Sequence, residues 1–172
     1  LKKLSLDGAI VPLTKASGGA RGIAWLDAST IIYSPEPASG LVQVSANGGE
    51  PKPVSTVDQS KGERTHRWAA ALPGGKAVLF TLGILASPDD YDSSNIEALI
   101  LATGERRVVF RGASMARYAP TGHLIFARGG TLHAIAFDPG TLTASGSLLP
   151  VLQGVAGDRT TGAAHFSAAA DG

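Results

Sequence analysis

The stretch THRWAAALPGGKAVLFTLG, from Thr65 to Gly83, decides the fold. It predicts two short strands joined by a tight turn at Pro73-Gly74-Gly75, because clusters of proline and glycine punctuate strands. Similar strand–turn–strand segments occur on either side of it, as RGIAWLDASTIIYSP (21–35), ARYAPTGHLIFARG (116–129) and the shorter AAHFSAAADG (163–172). A unit that returns at a fixed interval predicts a repeat architecture.

Aromatic residues mark the same places in each unit. Those of the second strand lie 47 and 46 residues apart. The aromatic residues of the second strand are Tyr33, Phe80 and Phe126. The aromatic residues of the first strand are Trp25, Trp68, Tyr118 and Phe166. Four short antiparallel strands at this interval predict an all-β chain built of β-propeller blades, with the aromatics packing one blade against the next. The alternative is a β-sandwich, which also has many short strands but whose sequence does not repeat at a fixed interval.

The repeat divides the chain into one propeller segment with about three complete blades and a partial blade at each end. The predicted parts are 1–16 (outer strands of a partial blade), 22–56, 65–112 and 114–154 (complete blades), and 162–172 (first strand of a further blade).

Composition limits the classes of function. The 172 residues carry a net charge of +1, with 15 basic and 14 acidic side chains, so nothing in the charge favours nucleic acid or an anionic membrane as a partner. The absence of cysteine excludes disulfides, thiol catalysis and Cys-based zinc sites. The longest apolar runs are far shorter than the roughly 18–20 residues of a membrane-spanning helix. The sequence predicts no cofactor.

Several strings resemble a known repeat family. WLDASTIIY (25–33), ALPGGKAVLF (71–80) and APTGHLIF (119–126) resemble the TolB-like, WD40-like (PD40) β-propeller repeat. VSANGGEPKPVS, LATGERRVVFRG and GHLIFARGGTLHAIAFD are similar to propeller segments that follow the kinase domain in bacterial serine/threonine protein kinases. The resemblance implies a ring of six or seven blades in the periplasm or outside the cell, and no kinase motif is present in this sequence.

Three blades are fewer than such a ring needs, and an open propeller exposes its end faces. We therefore expect either a larger parent ring or a homo-oligomer. In the second case, two chains complete the ring by sharing a composite blade at each junction.

Candidate binding residues lie on the predicted first strands, which line the central channel of a propeller. They are His66, Arg67, Arg117 and His165. Strand alternation predicts that Arg67, Arg117 and His165 point away from the neighbouring aromatics, towards an anionic ligand or a peptide carboxylate. The alternative is that these side chains bond to backbone carbonyls of neighbouring blades.

Other candidate sites are weaker. Asp89, Asp90 and Asp92 cluster in an insertion, but their spacing does not match a calcium loop, so no metal site is predicted there. The sequence contains no nucleophile elbow and no other catalytic motif. Charges at Arg106 and Arg107 are expected to be solvated on an edge strand.

These observations favour a non-catalytic binding or scaffold module that recognises a protein, peptide or small ligand. It could serve as the sensor part of a larger protein. The alternative is a propeller hydrolase or lyase whose active residues line the channel.

Overall fold

The computed structural model describes residues 1–168, so the last four residues of the predicted segment 162–172 lie outside the described part. Residues 1–168 contain β-strands and three short 3-10 turns but no α-helix, and the all-β prediction is confirmed. Within this range, no helix has the length and apolar character needed to cross a membrane. The 3-10 turns are Gln59–Lys61, Pro73–Gly75 and Tyr91–Ser93.

A two-stranded hairpin begins the chain, and the first four-stranded sheet follows it. The hairpin pairs β1 (Lys2–Leu4) with β2 (Ile10–Pro12) around the Asp7-Gly8 turn. The first sheet consists of β3 (Ile23–Trp25), β4 (Thr30–Tyr33), β5 (Val42–Ser45) and β6 (Lys52–Pro53), hydrogen-bonded in chain order. Proline at 51 and 53 restricts β6 to the outer edge, where a missing N–H costs least.

The second sheet has the same meander topology and longer strands. It consists of β7 (Glu63–Ala71), β8 (Ala77–Ile84), β9 (Asn95–Ile100) and β10 (Arg106–Arg111). β7 and β8 are joined by the turn at 73–75, in which Gly74 has a φ of 82°. The insertion between β8 and β9 folds back so that Tyr91 is buried.

The third sheet and a short terminal hairpin follow. The sheet consists of β11 (Ser114–Ala119), β12 (His123–Arg128), β13 (Thr131–Asp138) and β14 (Thr143–Gln153). The terminal hairpin pairs β15 (Gly157–Asp158) with β16 (Ala163–Ala164). The first strand of a further blade, expected within 162–172, is therefore only two residues long in the described part, and its partner is the segment just before it.

The three sheets are arranged in chain order, with their innermost strands next to one another. β7 lies against both β3 and β11, and β11 also contacts β16. The backbone N–H of His66 donates to the carbonyl of Ser39, which joins β7 directly to a loop of the first sheet. This succession of similar sheets is the propeller arrangement rather than two facing layers, and the sheets do not close into a ring within residues 1–168.

Three apolar cores fill the spaces between successive sheets. The core between the β1–β2 hairpin and the first sheet contains Tyr33, the core between the first and second sheets contains Phe80, and the core between the second and third sheets contains Phe126. Phe126 packs against Phe110 of the preceding sheet, with ring centroids 4.4 Å apart and the ring planes tilted by 38°. Each second-strand aromatic therefore packs towards the preceding sheet.

Candidate functional site

The four predicted channel residues do not share a common set of contacts. Arg67 is buried and donates from Nη2 to the carbonyl of Pro37 (2.7 Å) and from Nη1 to the carbonyl of Thr161 (3.1 Å). Its guanidinium also lies 4.4 Å from the ring centre of Tyr91. Burial lowers the pKa of Arg67 to about 10, so it remains a cation at neutral pH. These contacts bind the first sheet, the insertion and the terminal hairpin together.

The expected alternation between Arg67 and Trp68 does not hold. The indole Nε1 of Trp68 donates to the carbonyl of Thr161 (2.7 Å), the same acceptor that Arg67 uses. A bulge between Arg67 and Ala70 causes this, since Trp68 takes a φ of 56° and both neighbouring side chains reach the terminal hairpin.

The other two residues of the predicted ring differ in burial. Arg117 donates to the carbonyl of Ala116 (2.9 Å) and approaches that of Trp68 (3.5 Å), and burial lowers its pKa. His165 is exposed, and its backbone N–H bonds to Ala156. The contacts of Arg67 and Arg117 match the carbonyl-bonded alternative, and ligand binding by these residues stays a prediction.

His66 lies on the opposite side of β7, in a buried polar cluster. It is fully buried, with its ring 4.6 Å from that of Phe80. Its Nδ1 lies 2.8 Å from the hydroxyl of Ser55, and its Nε2 lies 3.3 Å from Oε2 of Glu63 and 2.9 Å from Nη1 of Arg106. Burial, followed by the charge of Arg106, lowers the pKa of His66 to about 4, so the ring is neutral at pH 7.

Two acidic side chains complete the cluster. Glu63 accepts hydrogen bonds from Nη1 (3.0 Å) and Nη2 of Arg106, and from the backbone N–H of Asp58 (2.7 Å). Burial opposes the ionisation of Glu63, but these bonds outweigh it and hold its pKa below the usual range. Glu97 lies 3.7 Å from Nε of Arg106, and burial raises its pKa.

The hydrogen bonds indicate the tautomer of His66. Since Arg106 can only donate, the 2.9 Å contact makes Nε2 an acceptor and leaves the proton on Nδ1. The hydroxyl of Ser55 then accepts from Nδ1 of His66 and from the backbone N–H of Leu41 (2.8 Å). This histidine therefore cannot take a proton from Ser55.

An open cleft of about 800 Å³ lies beside this cluster, between the outer parts of the first and second sheets. One wall is the segment 53–61, which follows β6, and the other wall is formed by Leu99, Gly104 and Arg106. Lys61 pairs with Asp58 at the rim (3.0 Å). The cleft therefore presents hydroxyl, amide and backbone groups to a ligand, and the charged side chains beside these groups are already paired with one another.

The acidic insertion binds an arginine. Asp90 and Asp92 pair with Arg159 of the terminal hairpin at 3.0 and 3.2 Å, and Oδ1 of Asp92 also accepts from the N–H of Gly129. Asp89 lies in the exposed part of the loop. Within residues 1–168, no group of three histidine or acidic side chains is arranged to hold a metal ion.

The predicted packing aromatics fall into two groups. Tyr33, Phe80 and Phe126 are buried in the three cores. The first-strand aromatics are less buried: Trp25 is 49% exposed, and Trp68, Tyr118 and Phe166 are half-buried. The second strand therefore supplies most of the aromatic packing between sheets.

Sequence reasoning missed the cluster around Glu63 because a strand bulge creates it. In a regular strand, Glu63 and His66 would face opposite sides, but a register shift between Glu63 and Thr65 brings both to one face. The expectation of a solvated Arg106 is wrong, since its side chain is only 22% exposed and is paired with Glu63. No spacing in the sequence signals this pair, because Glu63 and Arg106 lie 43 positions apart.

Comparison with known proteins supports the fold. No family model matches the chain, and no curated protein matches it. Among solved structures, TolB from Acinetobacter baumannii is similar over 87% of this chain and 36% of its own, with a TM-score of 0.60 and 20% identity. A TolB candidate from Agrobacterium tumefaciens is similar over 92% and 57%, with a TM-score of 0.61 and 17% identity.

A luciferin-regenerating enzyme is also similar, over 88% of this chain and 54% of its own, with a TM-score of 0.64 and 11% identity. This chain therefore spans between about a third and three-fifths of these structures. Identities of this size show the fold and not the activity. The propeller prediction is confirmed, and the chain has a TolB-like β-propeller fold.

Proposed function

We propose that this chain is a non-catalytic binding module and that the cleft between its first and second sheets binds an extended peptide segment of a protein partner. The observation that carries the proposal is the set of unused donors on one wall of the cleft. The hydroxyl of Ser55 already accepts two hydrogen bonds, so its own proton is free to be donated. The backbone N–H groups of Thr56 and Val57 bond to no acceptor within residues 1–168.

The charges in the cleft favour a neutral ligand group. Lys61 is paired with Asp58, and Arg106 is paired with Glu63 and lies near Glu97. An anion would meet these carboxylates, whereas peptide carbonyls accept hydrogen bonds without adding charge. Recognition of a peptide backbone by unpaired groups next to a sheet edge is a common binding mode.

A peptide-display selection on the immobilised chain tests this function. Selected sequences are made as soluble peptides and titrated calorimetrically against the wild-type chain and Thr56→Trp, which fills the cleft from an exposed position. We expect saturable binding that Thr56→Trp abolishes and that the control Thr143→Trp, on the exposed β14 strand, leaves unchanged. Equal binding by both variants would show that the peptide binds elsewhere.

A hydrolase is the second candidate because Ser55, His66 and Glu63 lie next to one another, with His66 Nδ1 2.8 Å from the Ser55 hydroxyl and His66 Nε2 3.3 Å from Oε2 of Glu63. In such an enzyme, the histidine must accept the serine proton. The contact between Arg106 and Nε2 opposes this role, because it places the His66 proton on the nitrogen that faces Ser55. We therefore expect no labelling of Ser55 by a fluorophosphonate probe, and labelling that Ser55→Ala removes would support the hydrolase instead.

We also propose self-association as a second kind of partnership. Apolar side chains are exposed on both flanks of the sheet series, at Leu4 and Ile10 of the first hairpin and at Leu149 and Leu152 of β14. Exposed apolar groups at two ends of a repeat array favour association of copies. Light scattering after size exclusion should give the mass of two chains, and a monodisperse single chain would contradict this proposal.

A further inference from the structure

We propose that the peptide bound in the cleft between the first and second sheets inserts an aliphatic side chain into a second cavity, across the wall formed by residues 53–61. This inference rests on the proposed peptide-binding function and assigns the specificity of that same site. The second cavity is open to solvent and has a volume of about 400 Å³. It lies between this wall and the loop that joins β4 to β5.

The wall separates the second cavity from the cleft. Five residues of the wall line both spaces: Pro53, Ser55, Thr56, Val57 and Gln59. Beyond the wall, the cleft is lined by residues of the second sheet, and the second cavity is lined by residues of the first sheet. A ligand that binds along the wall is therefore next to both spaces.

The second cavity is uncharged and mainly apolar. The described residues that line it include no acidic or basic side chain. Leu41 is fully buried, while Val42 and Val57 are half-buried and keep part of their apolar surface open to a ligand. Ala38 and Gly40 are too small to fill the space. An aliphatic side chain fits here because its burial is favourable and desolvates no charged group.

Hydrogen bonds fix the wall to the first sheet. The backbone N–H groups of Val54 and Ser55 donate to the carbonyl of Leu41 (2.9 and 3.2 Å), and the N–H of Leu41 donates to the hydroxyl of Ser55 (2.8 Å). Gly40 packs so closely on the carbonyl of Ser55 that no Cβ would fit between them. The second cavity is therefore formed before a ligand arrives, so little ordering opposes binding.

An extended peptide can reach both spaces at once. The backbone N–H groups of Thr56 and Val57, which bond to no acceptor within residues 1–168, lie on the shared wall. Successive side chains of an extended chain point to opposite sides. A peptide bonded to the wall therefore turns one side chain towards the cleft and the next towards the second cavity. In this binding mode, backbone hydrogen bonds supply affinity, and pockets for alternate side chains supply specificity.

A double-mutant cycle tests the aliphatic contact. A peptide from the display selection, and the same peptide with its aliphatic residue replaced by alanine, are titrated calorimetrically against the wild-type chain and Ala38→Trp. Ala38 is exposed and lines the second cavity but not the cleft, so tryptophan fills that cavity alone. We expect each single change to weaken binding about tenfold, and the two changes together to weaken it no further.

Ala28→Trp is the matched control, since Ala28 is exposed in the turn between β3 and β4 and lines neither space. It should leave both affinities unchanged, and circular dichroism confirms that each variant is folded. Unchanged affinity in folded Ala38→Trp, equal affinity of the wild-type chain for the two peptides, or selected peptides without an aliphatic residue would overturn this inference and leave binding in the cleft intact. Binding that Thr56→Trp does not reduce would contradict the proposed function and this inference together.

Discussion

Glu63 and Arg106 come from the first and last strands of one sheet, and their side chains meet on its face. The guanidinium of Arg106 reaches from the outermost strand β10 to Glu63 on the innermost strand β7, where both of its terminal nitrogens donate to the carboxylate. His66 lies against the same guanidinium, and its other ring nitrogen faces Ser55 of the first sheet. This ion pair therefore joins the innermost and outermost strands of the second sheet, and through His66 it is connected to Ser55 on the wall of the cleft.

Replacing Arg106 with methionine should strongly destabilise the protein. The change leaves Glu63 buried without its cation, and breaking a buried ion pair costs about 3–5 kcal/mol. Arg107→Met is the matched control on the same strand, where the pair with Glu105 is half exposed and should contribute less than about 1 kcal/mol. Urea unfolding measures both, and similar losses for the two variants would show that the buried pair has no special role.

The buried His66 predicts that stability falls in mild acid. Its pKa is about 4 in the folded protein and 6.5 when unperturbed, so the unfolded chain binds more protons between these values. Stability should be constant above about pH 7 and decrease by up to about 3 kcal/mol as the pH falls to 4. Glu63, with its lowered pKa, adds a further loss below its ordinary value of 4.5.

Urea midpoints at a series of pH values measure this dependence. His66→Gln should flatten the curve between pH 4.5 and 6.5, while His165→Gln, at an exposed position, should keep the wild-type slope. An unchanged slope in His66→Gln would assign the proton uptake to other groups.

Gly162→Ala should loosen the terminal hairpin. Gly162 has a φ of 72°, and an added Cβ would lie 2.9 Å from the ring of Tyr91. Gly154 has a similar φ of 71° with open space around it, so Gly154→Ala carries only the backbone strain of about 1 kcal/mol. Hydrogen exchange across residues 155–165 should accelerate much more in Gly162→Ala, and equal acceleration in both variants would rule out the contact with Tyr91 as its cause.

Replacing aromatic residues with alanine should show which of the two strand positions of the repeat contributes more to stability. Phe126→Ala leaves a cavity between the second and third sheets and should cost about 3–5 kcal/mol. Trp25→Ala should cost less than about 1 kcal/mol, because the side chain is half exposed. Thermal unfolding of both variants checks this order, and the reverse order would place the main packing contact on the first strand.

The sequence was sufficient for the fold because periodic signals determine it. Glycine-containing turns and the aromatics at 33, 80 and 126 recur at nearly equal intervals, and each of these aromatics occupies an equivalent core between sheets. Such patterns reflect local turn chemistry and repeated packing, which act in the same way in every unit.

The sites could not be predicted in the same way because bulges reorient the inner strand. The bulge near Glu63 brings this residue to the side of His66, and the bulge after Arg67 turns Trp68 towards Thr161. A bulge adds one residue to one strand, so alternation counted along the sequence assigns the following side chains to the wrong face. Contacts between residues 43 positions apart, such as Glu63 with Arg106, leave no spacing pattern to recognise.

The most direct test of the binding-module account is an NMR titration of the isotopically labelled chain with a peptide from the display selection. The account predicts chemical-shift changes concentrated at residues 53–61 and at Arg106, the two walls of the cleft. It also predicts that Thr56→Trp removes these changes. Saturable binding that leaves both walls unperturbed, with shifts confined to another surface, would contradict it.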